Sequence, residues 1–256
     1  MQLGLAGKVA LVAGAGRGLG RAVAVALGTE GARVALVART LAELEVTAQA
    51  VRAAGGEATA VPADLTDERA VTAALGVIEA TLGPPTILVW SAASFFTPAR
   101  LHTVPPAELR RVLDLDLVAP AALVQRLLPG MMLAAHGRVV LVGSLAARGG
   151  VRGGTAYAAA KAGLLGLARG VAADYGRYGI TANVVTLSFV DTERLALRLG
   201  GSAEARDRLT RATATRRIPT PAECAAPIVF LCSGPASAVT GAELEATGGA
   251  HLNTLV

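Results

Sequence analysis

Three polar residues, Ser144, Tyr157 and Lys161, have the types and the spacing needed to move a proton. Tyr157 and Lys161 are four positions apart, so they share one face of a helix. An ammonium group beside a phenol favours the phenolate form. A hydroxyl such as that of Ser144, at the end of a predicted strand, can hold a carbonyl oxygen while the phenol gives or takes the proton. We therefore predict acid–base chemistry on a carbonyl or alcohol group.

Composition singles out Lys161 as the member of this set that has to be a lysine. The chain has 24 basic residues, of which only Lys8 and Lys161 are lysines. At nearly every position where either arginine or lysine would serve, the chain therefore has arginine. This usage indicates that position 161 requires an ammonium group.

A glycine-rich loop near the N-terminus has the sequence of a phosphate-binding turn. It follows an apolar strand pattern and precedes a helical one. Glycines let the backbone approach a ligand closely, and a helix N-terminus presents free N–H groups to a phosphate. The spacing is G-x-x-x-G-x-G, because the sixth position of G-x-G-x-x-G is Leu19. We assign to a dinucleotide site the residues Gly14, Gly16, Arg17, Gly18, Leu19 and Gly20.

The end of the second predicted strand indicates which dinucleotide binds. Arg39 and Thr40 follow this strand, and no acidic residue stands at its end. NAD sites usually place Asp or Glu there to bind the ribose 2′-hydroxyl, whereas arginine accommodates a 2′-phosphate. Arg17, in the glycine-rich loop, is expected to reach the same phosphate. The predicted cofactor is therefore NADP(H).

Short apolar runs alternate with longer segments of helical period along the whole chain. This alternation is typical of a parallel sheet covered by helices. The predicted strands are Lys8–Ala13, Arg33–Ala38, Glu57–Pro62, Ile87–Trp90, Arg138–Val142, Ile180–Thr186 and Glu243–Ala246. The predicted helices begin near Gly18, Leu41, Asp67, Ala107, Ala156, Glu193 and Ala222. A single α/β domain of residues 1–256 is expected, with an irregular substrate-loop insertion at about 188–219.

Composition excludes several classes of protein. Of the 256 residues, 53% are hydrophobic and 17% are charged, so we expect a large core rather than a disordered chain. The arginines are scattered despite a net charge of +5, which argues against a nucleic-acid partner. Every long apolar run is interrupted before about 18 residues, and the N-terminus lacks a signal pattern. We therefore expect a cytoplasmic protein with no membrane span.

The cysteines and histidines indicate no additional site. Cys224 and Cys232 are eight positions apart in a helical segment, too far for a disulfide, and are expected to be buried. The three histidines, His102, His136 and His251, are dispersed and lack the spacing of metal ligands, so no metal is predicted.

These motifs together resemble those of the classical short-chain dehydrogenase/reductase family over nearly the whole chain. The resemblance implies a single-domain Rossmann-type, doubly wound fold with a seven-stranded parallel sheet flanked by helices. It also implies a nicotinamide cofactor and a homodimer or homotetramer. The matching segments, in the family's order, are Gly14–Gly20, Asp64-Leu65, Ser144, Tyr157-Ala-Ala-Ala-Lys161, Asn183, Val239-Thr240-Gly241 and Gly248-Gly249.

The resemblance also implies roles for individual residues. In the family, the residue at Tyr157 is the acid/base, the one at Lys161 also binds the nicotinamide ribose, and the one at Asp64 contacts adenine. The cofactor site assigned in this way further includes Leu65, Ser91, Ala92 and Thr192.

Four positions depart from the family pattern. Ala13 replaces the usual Thr before the glycine loop, and Trp90-Ser91-Ala92-Ala93 replaces Asn-Asn-Ala-Gly. Asp116 aligns with a helix Asn that joins a water-linked proton relay to the lysine, and Leu187-Ser188 replaces Pro-Gly. We place Asp116 in the catalytic set and expect an altered relay. The turn that faces the nicotinamide carboxamide is expected to change as well.

The leading interpretation is an NADP(H)-dependent carbonyl reductase or alcohol dehydrogenase acting on a small molecule. Ser144 would polarise the oxygen while Tyr157 handles the proton. The four departures leave two alternatives open. One is a cofactor-binding relative with little redox turnover, and the other is an enzyme of the same scaffold that catalyses dehydration, cyclisation or epimerisation.

The phenylalanines suggest the kind of substrate. Three of the four in the chain, Phe95, Phe96 and Phe189, lie just beyond the fourth and sixth predicted strands. Ligands of open α/β sheets bind outside the carboxyl ends of the strands. We therefore predict that these residues contact a bulky, apolar or aromatic ketone, such as a polyketide-like intermediate.

Overall fold

A parallel β-sheet forms the centre of the computed structural model, which describes residues 2–95 and 97–252. Within these residues, the sheet has seven strands in the order β3-β2-β1-β4-β5-β6-β7, and every neighbouring pair is parallel. The strands are β1 Val9–Ala13, β2 Arg33–Ala38, β3 Glu57–Pro62, β4 Ile87–Trp90, β5 Gly137–Ser144, β6 Ile180–Leu187 and β7 Glu243–Ala246.

Helices connect the strands and cover both faces of the sheet. They are α1 Gly18–Thr29, α2 Leu41–Ala53, α3 Glu68–Leu82, α4 Pro106–Leu113, α5 Ala119–Leu133, α6 Ala146–Gly149, α7 Thr155–Tyr175, α8 Glu193–Leu199, α9 Ala203–Arg211 and α10 Pro221–Cys232. A π-helical turn, Asp114–Val118, joins α4 to α5. None of these helices combines the length and apolarity that a membrane span needs.

The core lies in two layers because the strand side chains alternate between the two faces of the sheet. In β1, Leu11 packs with the layer that contains α3, α5 and α7, whereas Val12 packs with the layer that contains α1, α2 and α10. All five β1 residues are buried, as expected for a central parallel strand covered on both faces.

The strand order reverses between β1 and β4, which are hydrogen-bonded neighbours. Helices leave the sheet in opposite directions on the two sides of such a point, so a crevice opens outside the carboxyl ends of the strands. The glycine-rich loop follows β1 at this crevice, and residues 91–94 follow β4.

The observed fold confirms the predicted class and the order of the seven predicted strands. Each predicted helix is also present, but α5, α6 and α9 were not predicted. Strand bounds differ by at most two residues, the largest differences being at β5, which runs to Ser144. The stretch at 188–219 contains α8, which begins at the predicted Glu193, and also α9, which was not predicted. Its role as a substrate-loop insertion stays a prediction. Thr192 and Ser202 cap these helices with side-chain oxygens that accept backbone N–H groups.

Candidate cofactor and active site

A cleft of about 1000 Å³ lies at the carboxyl ends of the strands. We call its two ends the glycine-loop end, around Gly14–Gly20, Arg39 and Asp64, and the tyrosine end, around Ser144 and Tyr157. Both ends border this one cleft. The predicted cofactor residues that line it are Gly14, Gly16, Arg17, Gly18, Leu19, Gly20, Arg39, Asp64, Leu65, Ser91, Ala92, Tyr157 and Thr192.

Two glycines of the loop are required by close backbone contacts. A Cβ atom on Gly14 would lie 2.5 Å from the backbone nitrogen of Ala92, and Gly14 also has a φ of +84°. A Cβ atom on Gly20 would lie 2.0 Å from the carbonyl oxygen of Gly14. The loop therefore folds tightly against the start of α1 and leaves the helix N-terminus open to the cleft, as pyrophosphate binding requires.

Basic side chains flank the glycine-loop end. Arg17 and Arg39 are both exposed and both line the cleft. Asp64 accepts hydrogen bonds from the hydroxyl (2.7 Å) and the N–H group (2.9 Å) of Thr66. These bonds, together with the charge of Arg39, lower the pKa of the Asp64 carboxyl. Asp64 is thus an anion that accepts hydrogen bonds beside the site.

Sequence reasoning missed an acidic residue at this end. Glu43, in the first turn of α2, lines the cleft. Its Oε2 atom is 2.8 Å from the position of a Cβ atom on Gly16, so the carboxylate lies directly against the loop. No acidic residue directly follows β2 in the sequence. Glu43 of α2 nevertheless places a carboxylate at this end of the cleft. The only sequence signal is the position of Glu43 in the helix that follows Arg39.

The tyrosine end brings together the predicted proton-transfer residues. Ser144 ends β5, and its Oγ atom accepts the N–H group of Ala146 at 3.2 Å. Ser144 and Tyr157 both line the cleft. The Nζ atom of Lys161 is 5.6 Å from the centre of the Tyr157 ring. It also donates to the carbonyl oxygen of Val142 at 3.1 Å, which ties α7 to β5.

Asp116 contacts Lys161 directly in a completely buried ion pair. The distance between Lys161 Nζ and Asp116 Oδ1 is 3.1 Å, and the two side chains are 1% and 0% exposed. Asp116 Oδ2 accepts the N–H group of Ser94 at 3.0 Å and also the Ser94 hydroxyl. The π-helical turn that carries Asp116 is a feature often found at functional sites. Ser94 is a second residue that sequence reasoning missed.

The other departures from the family pattern have structural consequences. Trp90 is fully buried at the end of β4, and its indole N–H finds no acceptor among the described residues. Ser91 donates its backbone N–H to Ala13 at 2.9 Å, which joins β4 to β1 beside the glycine loop. Ser188 donates its hydroxyl to the carbonyl oxygen of Thr247 at 2.9 Å. This bond fastens the turn after β6 to the segment after β7.

The three predicted substrate residues have different surroundings. Phe189 is half-buried and lines the cleft. Phe95 is 63% exposed and is not among the lining residues, although the Arg194 guanidinium stands 5.6 Å from its ring centre. Phe96 lies outside the described residues. Contact of these residues with substrate stays a prediction.

A charged network closes the side of the tyrosine end near β7. Arg148 pairs with Glu243 at 2.8 Å and also with Glu245, and His251 Nδ1 lies 2.7 Å from Glu245. Among the described residues, no three His, Cys, Asp or Glu side chains cluster as metal ligands would. Cys224 and Cys232 are both free and buried, as predicted.

The fold and the cleft define a class of doubly wound α/β proteins. In this class, a glycine-rich loop lies where the strand order reverses, and a tyrosine followed four positions later by a lysine lies at the other end of the cleft. A family model described as Enoyl-(Acyl carrier protein) reductase matches residues 14–251. The chain is 36% identical to the short-chain reductase protein NovJ of Streptomyces niveus, over 94% of this chain and 93% of that one.

Two further relatives cover nearly the same span. A cis-4-hydroxycyclohexanecarboxylate dehydrogenase of Sinomonas cyclohexanicum is 36% identical, over 94% of this chain and 96% of that one. The crystal structure of a 3-oxoacyl (acyl-carrier-protein) reductase from Agrobacterium tumefaciens, with NADP bound, has a TM-score of 0.91 and 32% identity. It covers 97% of this chain and 96% of that one. The chain belongs to the short-chain dehydrogenase/reductase family and is an oxidoreductase that uses a nicotinamide cofactor.

Proposed function

We propose that the protein is an NADP(H)-dependent reductase that interconverts a bulky ketone and the corresponding secondary alcohol. The observation that carries this proposal is the position of Tyr157 and Ser144 on the wall of the same cleft as the glycine loop. A dinucleotide whose pyrophosphate lies on that loop has room to extend towards Tyr157. When bound, the cofactor supplies or accepts a hydride at the carbonyl carbon.

The side chains of the tyrosine end then have distinct tasks. Tyr157 gives a proton to the carbonyl oxygen during reduction, or takes one from the alcohol during oxidation. Ser144 donates a hydrogen bond to the same oxygen and so orients it. Lys161 lies beside the Tyr157 ring, where its positive charge stabilises the phenolate left after proton transfer. Asp116 holds Lys161 in place.

Two arginines support a preference for NADP(H) over NAD(H). Arg17 and Arg39 flank the glycine-loop end, where the adenosine ribose of a bound dinucleotide would lie. The Agrobacterium tumefaciens relative also binds NADP. Glu43 opposes this preference because its carboxylate adds negative charge beside the loop. We expect the two arginines to outweigh the carboxylate of Glu43.

The substrate is proposed to be larger and less polar than a sugar. The cleft has a volume of about 1000 Å³, and the half-buried Phe189 lies on its wall. The name of the Sinomonas cyclohexanicum relative denotes a cyclic secondary alcohol that also carries a carboxylate. We further infer a cytoplasmic homodimer or homotetramer. Exposed Val118 and Leu133, on the segment that contains α5, support the self-association.

Steady-state kinetics with two ketones tests the proposal. We expect a higher kcat/KM for 2-tetralone, a bicyclic aromatic ketone, than for hydroxyacetone, with NADPH preferred to NADH. Phe189→Ala and Phe95→Ala should lower kcat/KM for 2-tetralone. A preference for hydroxyacetone would refute the substrate class, and unchanged kinetics in both variants would refute the assigned contacts. Absence of turnover with any ketone or alcohol would refute the reductase itself.

A further inference from the structure

Arg194 is a half-buried cation in the cleft that has no task in the reaction described above. It lies in α8, and its guanidinium donates to the carbonyl oxygens of Ala93, at 3.3 Å, and Ser94. Among the described residues, no carboxylate oxygen comes within 4.0 Å of its nitrogens. Its positive charge therefore has no ion-pair partner within the described structure.

The other arginines of the cleft are accounted for more fully. Arg111 pairs with Glu108 of its own helix, α4, and Arg148 pairs with Glu243 of β7. Two more belong to the glycine-loop end. Arg198, four positions after Arg194 on α8, also lines the cleft, but it is exposed whereas Arg194 is half-buried. The arginines that line the cleft are Arg17, Arg39, Arg111, Arg148, Arg194 and Arg198.

The charges that act on Arg194 include groups at the tyrosine end of the cleft. Burial lowers the pKa of its guanidinium, and the positive charges of Arg17 and Arg198 lower it further. The Tyr157 phenol and the Asp116 carboxylate act in the opposite direction. A half-buried cation that borders a cleft and has a perturbed pKa is a candidate for binding a ligand.

The buried Arg138 is an example of an arginine with a purely structural role in this chain. Arg138 is 4% exposed and donates to the carbonyl oxygens of Gly137, Gly179 and Ser233. It does not border the cleft. Arg194 also donates to carbonyl oxygens, but it borders the cleft, and two carbonyl contacts leave some of its five N–H donors for a ligand.

We propose that Arg194 binds a carboxylate of the substrate, so the preferred substrate is an apolar keto acid or hydroxy acid. This inference rests on the proposed function and narrows its substrate class. A planar guanidinium matches a carboxylate with two parallel hydrogen bonds. Ala93 and Ser94 fix its orientation, and Phe189 offers an apolar surface elsewhere in the same cleft.

The kinetic test uses 4-oxocyclohexanecarboxylate and its methyl ester at saturating NADPH. The unmodified enzyme should favour the acid in kcat/KM. Arg194→Gln should reduce kcat/KM for the acid by about tenfold to a hundredfold, the range for a lost charge-assisted hydrogen bond, and should change the ester little. Arg194→Lys should retain part of the preference. The matched control is Arg208→Gln, on the exposed face of α9, which should leave both values unchanged.

A binding measurement separates this inference from the reductase proposal. Calorimetry with the NADPH complex should detect cyclohexanecarboxylate but not its methyl ester, and Arg194→Gln should abolish the signal even if no ketone is turned over. Three results would overturn the assignment. The first is an equal loss of kcat/KM for the acid and the ester in Arg194→Gln. The second is weaker NADPH binding in that variant together with an unchanged preference for the acid. The third is the absence of any preference for the acid in the unmodified enzyme.

Discussion

The glycine-loop end and the tyrosine end of the cleft differ in how their charges are held. At the glycine-loop end, Arg17, Arg39 and Asp64 are exposed, and water screens their charges. At the tyrosine end, Lys161 and Asp116 form an ion pair from which water is excluded. A substitution at the glycine-loop end should therefore change the affinity for the cofactor by a modest factor. A substitution at the tyrosine end should alter the reaction itself.

Tyr157→Phe is expected to have the largest effect, and it should lower turnover without changing cofactor binding at the glycine-loop end. The ring remains, but the proton carrier is lost, so kcat should fall by roughly 10²–10⁴-fold. NADPH affinity, measured by fluorescence titration, should stay nearly unchanged because the glycine loop is intact. Lys161→Ala is the comparison variant and should weaken both turnover and cofactor binding. A Phe variant with normal turnover would show that another group transfers the proton.

Arg39→Asp tests the glycine-loop end alone. Loss of a charge-assisted contact to the 2′-phosphate should weaken NADPH binding by about tenfold to a hundredfold, while NADH binding stays the same or improves. The dissociation constants of both cofactors are the measurement. Arg69→Asp, an exposed change of the same type on α3, is the matched control. Equal affinities of the unmodified protein for NADPH and NADH would contradict the assigned role of Arg39.

Asp116→Asn addresses the buried pair and should shift the pH dependence of activity. Removing the carboxylate leaves the charge of Lys161 uncompensated, which favours the phenolate form of the neighbouring tyrosine. Alcohol oxidation needs that form, so the pH midpoint of kcat/KM for oxidation should move to lower pH. Arg111 and Arg194 also act electrostatically on Asp116 and remain in place.

Two further measurements control this experiment. Ser94→Ala keeps the carboxylate and removes only the hydroxyl that contacts it, so it should shift the midpoint less than Asp116→Asn. The unfolding midpoint of each variant shows whether the fold survives, because breaking a buried pair destabilises a protein by about 3–5 kcal/mol. A folded Asn variant whose midpoint is unmoved, or moves upward, would disprove the electrostatic role.

Glu43→Gln should produce the smallest effect. Removing one half-buried anion near the 2′-phosphate should tighten NADPH binding by about threefold, because solvent in the open cleft screens the repulsion. NADH binding should change less. Glu45→Gln, an exposed neighbour on α2, is the control. Weaker binding of NADH in Glu43→Gln would instead show that the carboxylate accepts a hydrogen bond from the ribose.

The fold class, the order of the strands and the glycine loop are predictable from the amino-acid sequence alone. These depend on local periodicity and on residues close together in the chain, as in β1, the loop and α1. The sequence also identified Ser144, Tyr157 and Lys161, because a strand end and one helical turn carry them. The resemblance to a known family supplied the roles.

Contacts between side chains that are distant in the sequence depend on how the elements pack in three dimensions. Ser94 and Asp116 are 22 positions apart, and Arg194 is 100 positions from the Ser94 carbonyl that it contacts. Glu43 lies on a helix whose docking against the glycine loop brings its carboxylate to Gly16. Periodicity gives the face of an element on which a residue lies, but not the element that packs against it. This packing therefore determines which charged side chains lie near the reacting groups.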